Sequence, residues 1–219
     1  LGDIVYIGEV AELRRIGVHD GVLSIGAAAS LEEAWAALAQ RAPALTEAWL
    51  RFGSPPIRHM GTMGGNVANG SPIGDSMPVL IALGSAIELR CGDRRRSLPL
   101  ENFYLGYRRT ALEPGEFVRA VRVPTRPDDL LLRAWKVARR FDQDISSVFA
   151  CFALRVGAGR IASARIGCGG VAAVPARAGR TEAALQARAF AESTFDAAAR
   201  VLSEEFAPID DLRASAAYR

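Results

Sequence analysis

The residues best suited to chemistry lie in one stretch, Gly61 to Asp75, GTMGGNVANGSPIGD. It holds five glycines, two asparagines and one carboxylate. Glycine lets the backbone take positive φ and lets a ligand approach the amides closely. Successive N–H groups can form an anion-binding nest, and a helix N-terminus behind them adds partial positive charge. Thr62, Asn66, Asn69 and Ser71 add polar side chains, while Asp75 repels phosphate but accepts from ribose hydroxyls or amide-like N–H groups. The set suits a nucleotide with phosphate and sugar. A glycine-rich loop that merely packs is the alternative. Neither GxxxxGK[ST] nor a GxGxxG at a strand-to-helix turn is present.

Other catalytic patterns are missing. GxSxG and HExxH do not occur. His19 and His59 are too few for a histidine-rich metal site, and His59, after Arg58 in a polar loop, reads as a surface or structural histidine. The cysteines, Cys91, Cys151 and Cys168, are odd in number and form no CxxC. That argues against a disulfide framework, an iron–sulfur site or a structural zinc, and fits a reducing cytoplasm. With no evident acid, base or nucleophile, an enzymatic role would rest on a cofactor that brings its own chemistry. Of the 27 basic residues only Lys136 is lysine. A compact ammonium differs from a planar guanidinium, so this position either meets a specific need or reflects chance.

The elements that would position these groups follow from periodicity. Val22 to Ser30 reads as a strand running into a helix, with Ser30 and Glu33 as a capping box and Leu31, Ala34, Trp35 and Leu38 at helical spacing. Pro43 opens a second helix to about Phe52, and Gly53-Ser54-Pro55-Pro56 breaks it. Asp75 and Ser76 can cap a helix over Met77–Leu83, ended by Gly84. Ala86–Cys91 and Phe117–Val123 alternate as strands. Pro124 to Asp129 is the best linker. Leu131–Val137, Ile145–Val156 and Ile161–Gly167 read as strands, with a hairpin at Gly157-Ala158-Gly159. Helices follow over Thr181–Ala189 and Ser193–Phe206. Strands followed by helices suggest an antiparallel sheet with helices on one face, so two α+β domains are expected.

Bulk properties exclude several classes. Hydrophobic residues make up 50% of the 219 positions and charged residues 23%, as in a globular protein. No apolar run approaches the roughly 18 residues that span a bilayer, so no membrane association is expected. A net charge of +3 gives no basic face for nucleic acid; Arg94-Arg95-Arg96, after Gly92-Asp93, reads as a solvated turn.

Three runs carry a family resemblance: Phe52 to Asp75 (FGSPPIRHMGTMGGNVANGSPIGD), Arg139 to Ser147 with Lys136 ahead of it, and Asp211 to Arg219 (DLRASAAYR). Together they resemble the flavoproteins of molybdenum hydroxylases, and in particular the small, FAD-binding subunit of bacterial xanthine dehydrogenases. The resemblance covers nearly the whole chain, in order and with matching spacing. It implies part of a two-subdomain FAD-binding domain over residues 1–126. A smaller antiparallel-sheet-plus-helices domain follows over residues 127–219, with FAD in the cleft between them.

Carried over residue by residue, the resemblance implies that Gly61, Thr62, Met63, Gly64, Gly65 and Asn66 wrap the FAD pyrophosphate, assisted by Asn69 and Ser71. Asp75 would hold the ribityl or flavin polar edge, and Phe52 would lie against the isoalloxazine ring. Val118 and Lys136 would line the flavin or adenine region from the other side of the cleft, the ammonium offsetting charge on the reduced ring. Tyr107 would help seat NAD, and the loop with Asp142, Gln143 and Asp144 would control access to the flavin. The expected partners are the iron–sulfur domains and the molybdenum-cofactor subunit of a hetero-oligomer that passes electrons from xanthine or hypoxanthine to NAD. Two other outcomes are kept. One is a relative that oxidises an aldehyde, carbon monoxide or an N-heterocycle. The other is a non-catalytic assembly fragment that binds no flavin. His59 and Gly61 stand where family members commonly carry asparagine and alanine. The family's first subdomain, with another glycine-rich pyrophosphate loop, and its iron–sulfur domains have no counterpart in this sequence, which reads as a fragment of a longer protein.

Overall fold

The computed structural model describes residues 5–125 and 129–219. The first half runs through helix α1 (Ala11–Arg14), strands β1 (Ile16–His19) and β2 (Val22–Gly26), and helix α2 (Leu31–Arg41). A 3₁₀ turn at Pro43–Leu45 leads into α3 (Thr46–Leu50), α4 (Pro55–Met60), α5 (Met63–Asn69) and α6 (Ser76–Ala82). Strands β3 (Ala86–Cys91), β4 (Arg94–Pro99), β5 (Tyr104–Gly106), β6 (Arg109–Thr110) and β7 (Phe117–Pro124) complete it. The second half is β8 (Leu130–Val137), β9 (Val148–Gly157), β10 (Arg160–Gly169), β11 (Ala176–Arg177), α7 (Gly179–Leu185) and α8 (Glu192–Ser203).

Two antiparallel sheets result, ordered β1-β2-β7-β3-β4 and β11-β10-β9-β8, beside a small β5-β6 pair. Alternation decides which residues face inward. Leu23 and Ile25 of β2, Ile87 and Leu89 of β3, and Val121 and Val123 of β7 are buried against Trp35 and Leu38 of α2. On β9, Phe149, Cys151 and Ala153 join this core, while Phe152 and Leu154 pack against the cluster under α7 and α8.

Helix α6 lies between the two sheets and every one of its residues is buried. A helix apolar all round is one enclosed on all sides. Its contact with β10 is backbone to backbone: a Cβ at Gly167 would lie 2.0 Å from the Pro78 carbonyl oxygen, so only glycine fits. The helix thus joins the two halves through one continuous core, with helices on both faces of the second sheet rather than on one.

Most expected elements are present, with informative differences. The expected strand from Ile145 begins only at Val148. The Asp144 carboxylate accepts from the Ile145 N–H at 3.0 Å, and the Ser146 hydroxyl turns inward, so these residues belong to the preceding loop. Arg94, Arg95 and Arg96 are not a solvated turn. They open β4, where Arg94 pairs with Glu113 at 2.9 Å and Arg96 with Glu116 at 2.7 Å. His59 sits in the last turn of α4 rather than in a loop, and is exposed. The hairpin at Gly157–Gly159 takes φ of 49° at Ala158 and 70° at Gly159, the left-handed geometry of a tight two-residue turn. Pro124, expected to open the linker, is the last residue of β7, opposite Val22; the remainder of the expected linker lies largely outside the described residues.

Candidate functional site

The glycine stretch is not a loose loop. Thr62 caps α5, its hydroxyl accepting from the Gly65 N–H at 3.1 Å, and Gly70 closes the helix at φ 56°. Met63 donates to the Ala29 carbonyl and Gly64 to that of Ala27, both at 2.9 Å, and Asn66 donates to Thr62 O at 2.9 Å. All four N-terminal amides of the helix are therefore bonded within the protein, and the nest of open N–H groups read from the sequence is not formed. The reason is tertiary: the turn after β2, at Ala27 and Ala29, supplies carbonyls where a ligand was expected. Replacing Thr62 by Ala removes the cap and should cost about 1 kcal/mol, read as a lower thermal midpoint.

What faces outward is the side-chain face of the same helix. Gly65 and Asn69 are exposed, four residues apart on one side, with Asn66 between them. Asn66 Oδ1 is buried and, among the described residues, has no hydrogen-bond partner. A buried acceptor of that kind is costly unless a donor meets it. Ser71 is half-buried just past the helix end. Tyr104 backs this region, its hydroxyl donating to the Val67 carbonyl at 3.0 Å, and burial pushes its phenol above the ordinary range.

Asp75 and Lys136 pair with each other. Their charged ends meet at 2.7 Å with both side chains almost wholly buried, and Ser146 donates to the other Asp75 oxygen at 2.5 Å. Asp75 makes no side-chain cap on α6; instead Ser76 accepts from Trp35 Nε1 at 3.2 Å. Burial raises the Asp75 carboxyl above its ordinary value, while Lys136 and Ser146 oppose that shift. The three groups pin α6, β8 and the loop before β9 to one another. The lone lysine thus answers a buried carboxylate.

Phe52 and Val118 also face inward. The Phe52 ring lies 5.4 Å from that of Trp35, and Val118 belongs to the first core, opposite Leu89. Val118 is on the same half as the glycine helix, not across from it. Arg58, buried, fixes the Phe52 backbone: its guanidinium donates to the carbonyls of Leu50, Phe52 and Gly53 and pairs with Glu32.

Phe141, Asp142 and Gln143 border an open hollow of about 570 Å³ with Arg51, Gly53 and Pro55. Arg51 holds this loop: Nε donates to the Phe141 carbonyl at 3.0 Å and the guanidinium lies 4.4 Å from the Phe141 ring centroid. Asp142 and Gln143 are exposed, whereas Asp144 turns back to its own loop, accepting from the Arg140 N–H at 2.9 Å. Tyr107 is 60% exposed in the turn between β5 and β6.

The C-terminal run braces the same loop. Arg139 donates to the carbonyls of Arg213 and Leu212, and Arg219 to that of Ser147. Arg219 pairs with both Asp211 oxygens at 2.7 Å, and this contact first, then the Arg213 N–H, holds the Asp211 carboxyl down to about 2. A lowered carboxylate stabilises the fold above its unfolded value and loses that effect as pH falls through the folded one. The tail should therefore lose hydrogen-exchange protection between pH 3.8 and about 2, while staying protected above that window.

Among the described residues no cluster of His, Cys, Asp and Glu could hold a metal, and no helix is long and apolar enough to cross a membrane. Cys151 and Cys168 are buried, and burial pushes the Cys168 thiol up to about 12, so both are inert.

Comparison with known proteins gives the arrangement a family. Residues 1–126 match the FAD binding domain in molybdopterin dehydrogenase, and residues 133–219 the CO dehydrogenase flavoprotein C-terminal domain. The chain is 30% identical over 220 residues to the xanthine dehydrogenase FAD-binding subunit of Escherichia coli, covering 99% of this chain and 75% of that one. It is 35% identical over 183 residues to the carbon monoxide dehydrogenase medium chain of Afipia carboxidovorans, covering 83% and 63%. Against the xanthine dehydrogenase of Emericella nidulans it is 32% identical over 94% of this chain but only 16% of that protein. The solved carbon monoxide dehydrogenase from Hydrogenophaga pseudoflava superposes with a TM-score of 0.88 at 31% identity, over 94% of this chain and 72% of that one. The chain thus spans only part of its relatives. Two consecutive domain matches, in the order and antiparallel architecture found in the structure, place it in the FAD-binding flavoprotein family of the molybdenum hydroxylases.

Proposed function

We propose that this chain forms one wall of the FAD site in an electron-transfer module of a molybdenum hydroxylase that oxidises xanthine or hypoxanthine, with NAD as acceptor. The observation that carries the reading is the polar face of α5, where the buried, unpartnered Asn66 Oδ1 lies beside the exposed backbone of Gly65. FAD, when bound, supplies the one-electron and hydride chemistry that links iron–sulfur clusters on partner parts to NAD.

The residues fit the hydroxyl-bearing part of FAD better than its phosphates. Asn66 Oδ1 needs a donor, which a ribityl or ribose hydroxyl provides. Asn69 and Ser71 extend the same polar face, and Gly65 leaves room for close approach, while Gly61 is packed against Leu31 and Ile57. Met63 and Gly64 serve by setting the helix against β2, since their amides are already bonded. Phe52 and Val118 support this wall from within. Asp75 and Lys136 hold the second half against the first. Asp142, Gln143 and Asp144, with Tyr107, are proposed to govern NAD access. No side chain of this chain is needed as acid or base; its contribution is position and exclusion of water.

The partners proposed are the iron–sulfur domains and molybdenum-cofactor subunit of a hetero-oligomer acting in purine catabolism. The compartment proposed is the reducing cytoplasm, in keeping with three free cysteines. A second reading, the flavin subunit of a carbon monoxide-oxidising enzyme, is favoured by the 35% identity to that medium chain.

The test is the visible spectrum of the purified chain, followed by identification of the released flavin. Bound FAD that drops severalfold in Asn66→Ala supports the site. A colourless chain that FAD cannot reconstitute sinks it and leaves an assembly role. Supplying xanthine or carbon monoxide, and NAD or oxygen, to the assembled enzyme separates the finer readings.

A further inference from the structure

The same elements that build the flavin wall enclose a second hollow at their opposite ends. Gly26 and Lys136 mark the ends of β2 and β8 nearest the glycine helix and the buried pin. Four residues back along β8, about 13 Å at strand rise, Leu132 joins Leu23, Leu38 and Val123 around a cavity of about 420 Å³. This volume lies in the roughly 300–1,000 Å³ range of small-molecule sites. Those four side chains are at most 4% exposed. The floor is therefore apolar.

Two guanidiniums border it, Arg41 at the end of α2 and Arg133 on β8. Arg41 donates to the Ala37 carbonyl at 3.1 Å and Arg133 to the Leu132 carbonyl at 2.8 Å. Among the described residues no carboxylate pairs with either. Other arginines do meet acids, as at Glu12, Glu88, Glu101, Glu113, Glu116 and Asp211, whereas Arg139 and Arg160, like these two, donate to carbonyls. An arginine fork beside an apolar cavity matches a carboxylate carried on a hydrocarbon or aryl body.

We propose that this cavity binds a small amphiphilic monocarboxylate, its apolar part on the leucine floor and its carboxylate on Arg41 and Arg133. The site lies away from the glycine helix and is independent of the flavin reading.

Isothermal titration of the full chain with octanoate tests it, with octan-1-ol as the uncharged control. The expected result is saturable one-to-one octanoate binding, tighter than octanol by about tenfold and weakened about tenfold in Arg41→Met/Arg133→Met. Octanol binding should be equal in both proteins, because methionine keeps the side-chain stem. Bound flavin should be unchanged. Absence of saturable octanoate binding by the unaltered chain overturns the proposal, as does equal affinity for octanol. Undiminished octanoate binding in the double variant overturns it too.

Discussion

Lys136→Met should destabilise the fold by about 3–5 kcal/mol, the usual result of removing one partner from a buried ion pair. In a chain of this size that corresponds to a thermal midpoint lower by roughly 6–20 °C. The cause is the carboxylate left behind. Asp75 keeps the Ser146 hydroxyl but loses the ammonium at 2.7 Å, in a place water does not reach. Burial already raises its carboxyl, and without Lys136 nothing of comparable strength opposes that shift. A group whose folded value is raised stabilises relative to the charged form below its unfolded value and loses that effect as pH rises. The gap between variant and parent should therefore narrow as pH falls toward 3.8 and widen toward neutrality. Asp75→Asn combined with Lys136→Met should recover part of the loss, since no charge then stays buried. Chemical denaturation across pH checks all three points. Equal stability of Lys136→Met and parent at neutral pH would refute the pin.

Gly64→Ala is expected to be nearly as severe, and for a purely steric reason. A Cβ there would lie 2.4 Å from the Ala27 Cβ and 2.7 Å from its Cα and carbonyl oxygen. Two of those three atoms are backbone, so α5 has to move off the turn after β2 and lose the Gly64–Ala27 hydrogen bond. Overpacking of this kind costs about 1–3 kcal/mol, occasionally more. The neighbouring substitution separates shape from function. At Gly65 a Cβ meets only Thr62 Oγ1 at 3.0 Å. Replacing a helical glycine by alanine gains at most about 1 kcal/mol, less in this first turn. Gly65→Ala should therefore match or exceed the parent in thermal stability yet retain less flavin. Comparable flavin content in Gly65→Ala and parent would show that this face holds no ligand.

Much of this architecture could be read before any coordinates. The capping box at Ser30 and Glu33, the alternation in Ala86–Cys91 and Phe117–Val123, and the hairpin at Ala158-Gly159 are local signals, and each marks an element that formed. The site was harder. Five glycines in fifteen residues suggest irregular backbone, because each costs a helix conformational entropy. That reading omitted what the glycines permit. At Gly64 the absent side chain lets α5 sit directly on Ala27, and the resulting hydrogen bonds and burial outweigh the poor propensity.

The family came from a resemblance carried by three long runs; local pattern by itself determined the α+β class, helices α2 and α6, strands β3 and β7, and the polar character of residues 61–75. These depend on periodicity, turn chemistry and near-neighbour spacing, all within reach of a few residues. Only the tertiary structure decided that Lys136 answers Asp75 across 61 positions and that the helix amides of Met63 and Gly64 go to the turn after β2. It also decided that Phe52 turns toward Trp35 and that Arg41 and Arg133 share one cavity. Long-range pairing of buried polar groups leaves no local pattern. It is settled by which surfaces the chain brings together, where an unpaired charge or amide would be too costly to leave alone.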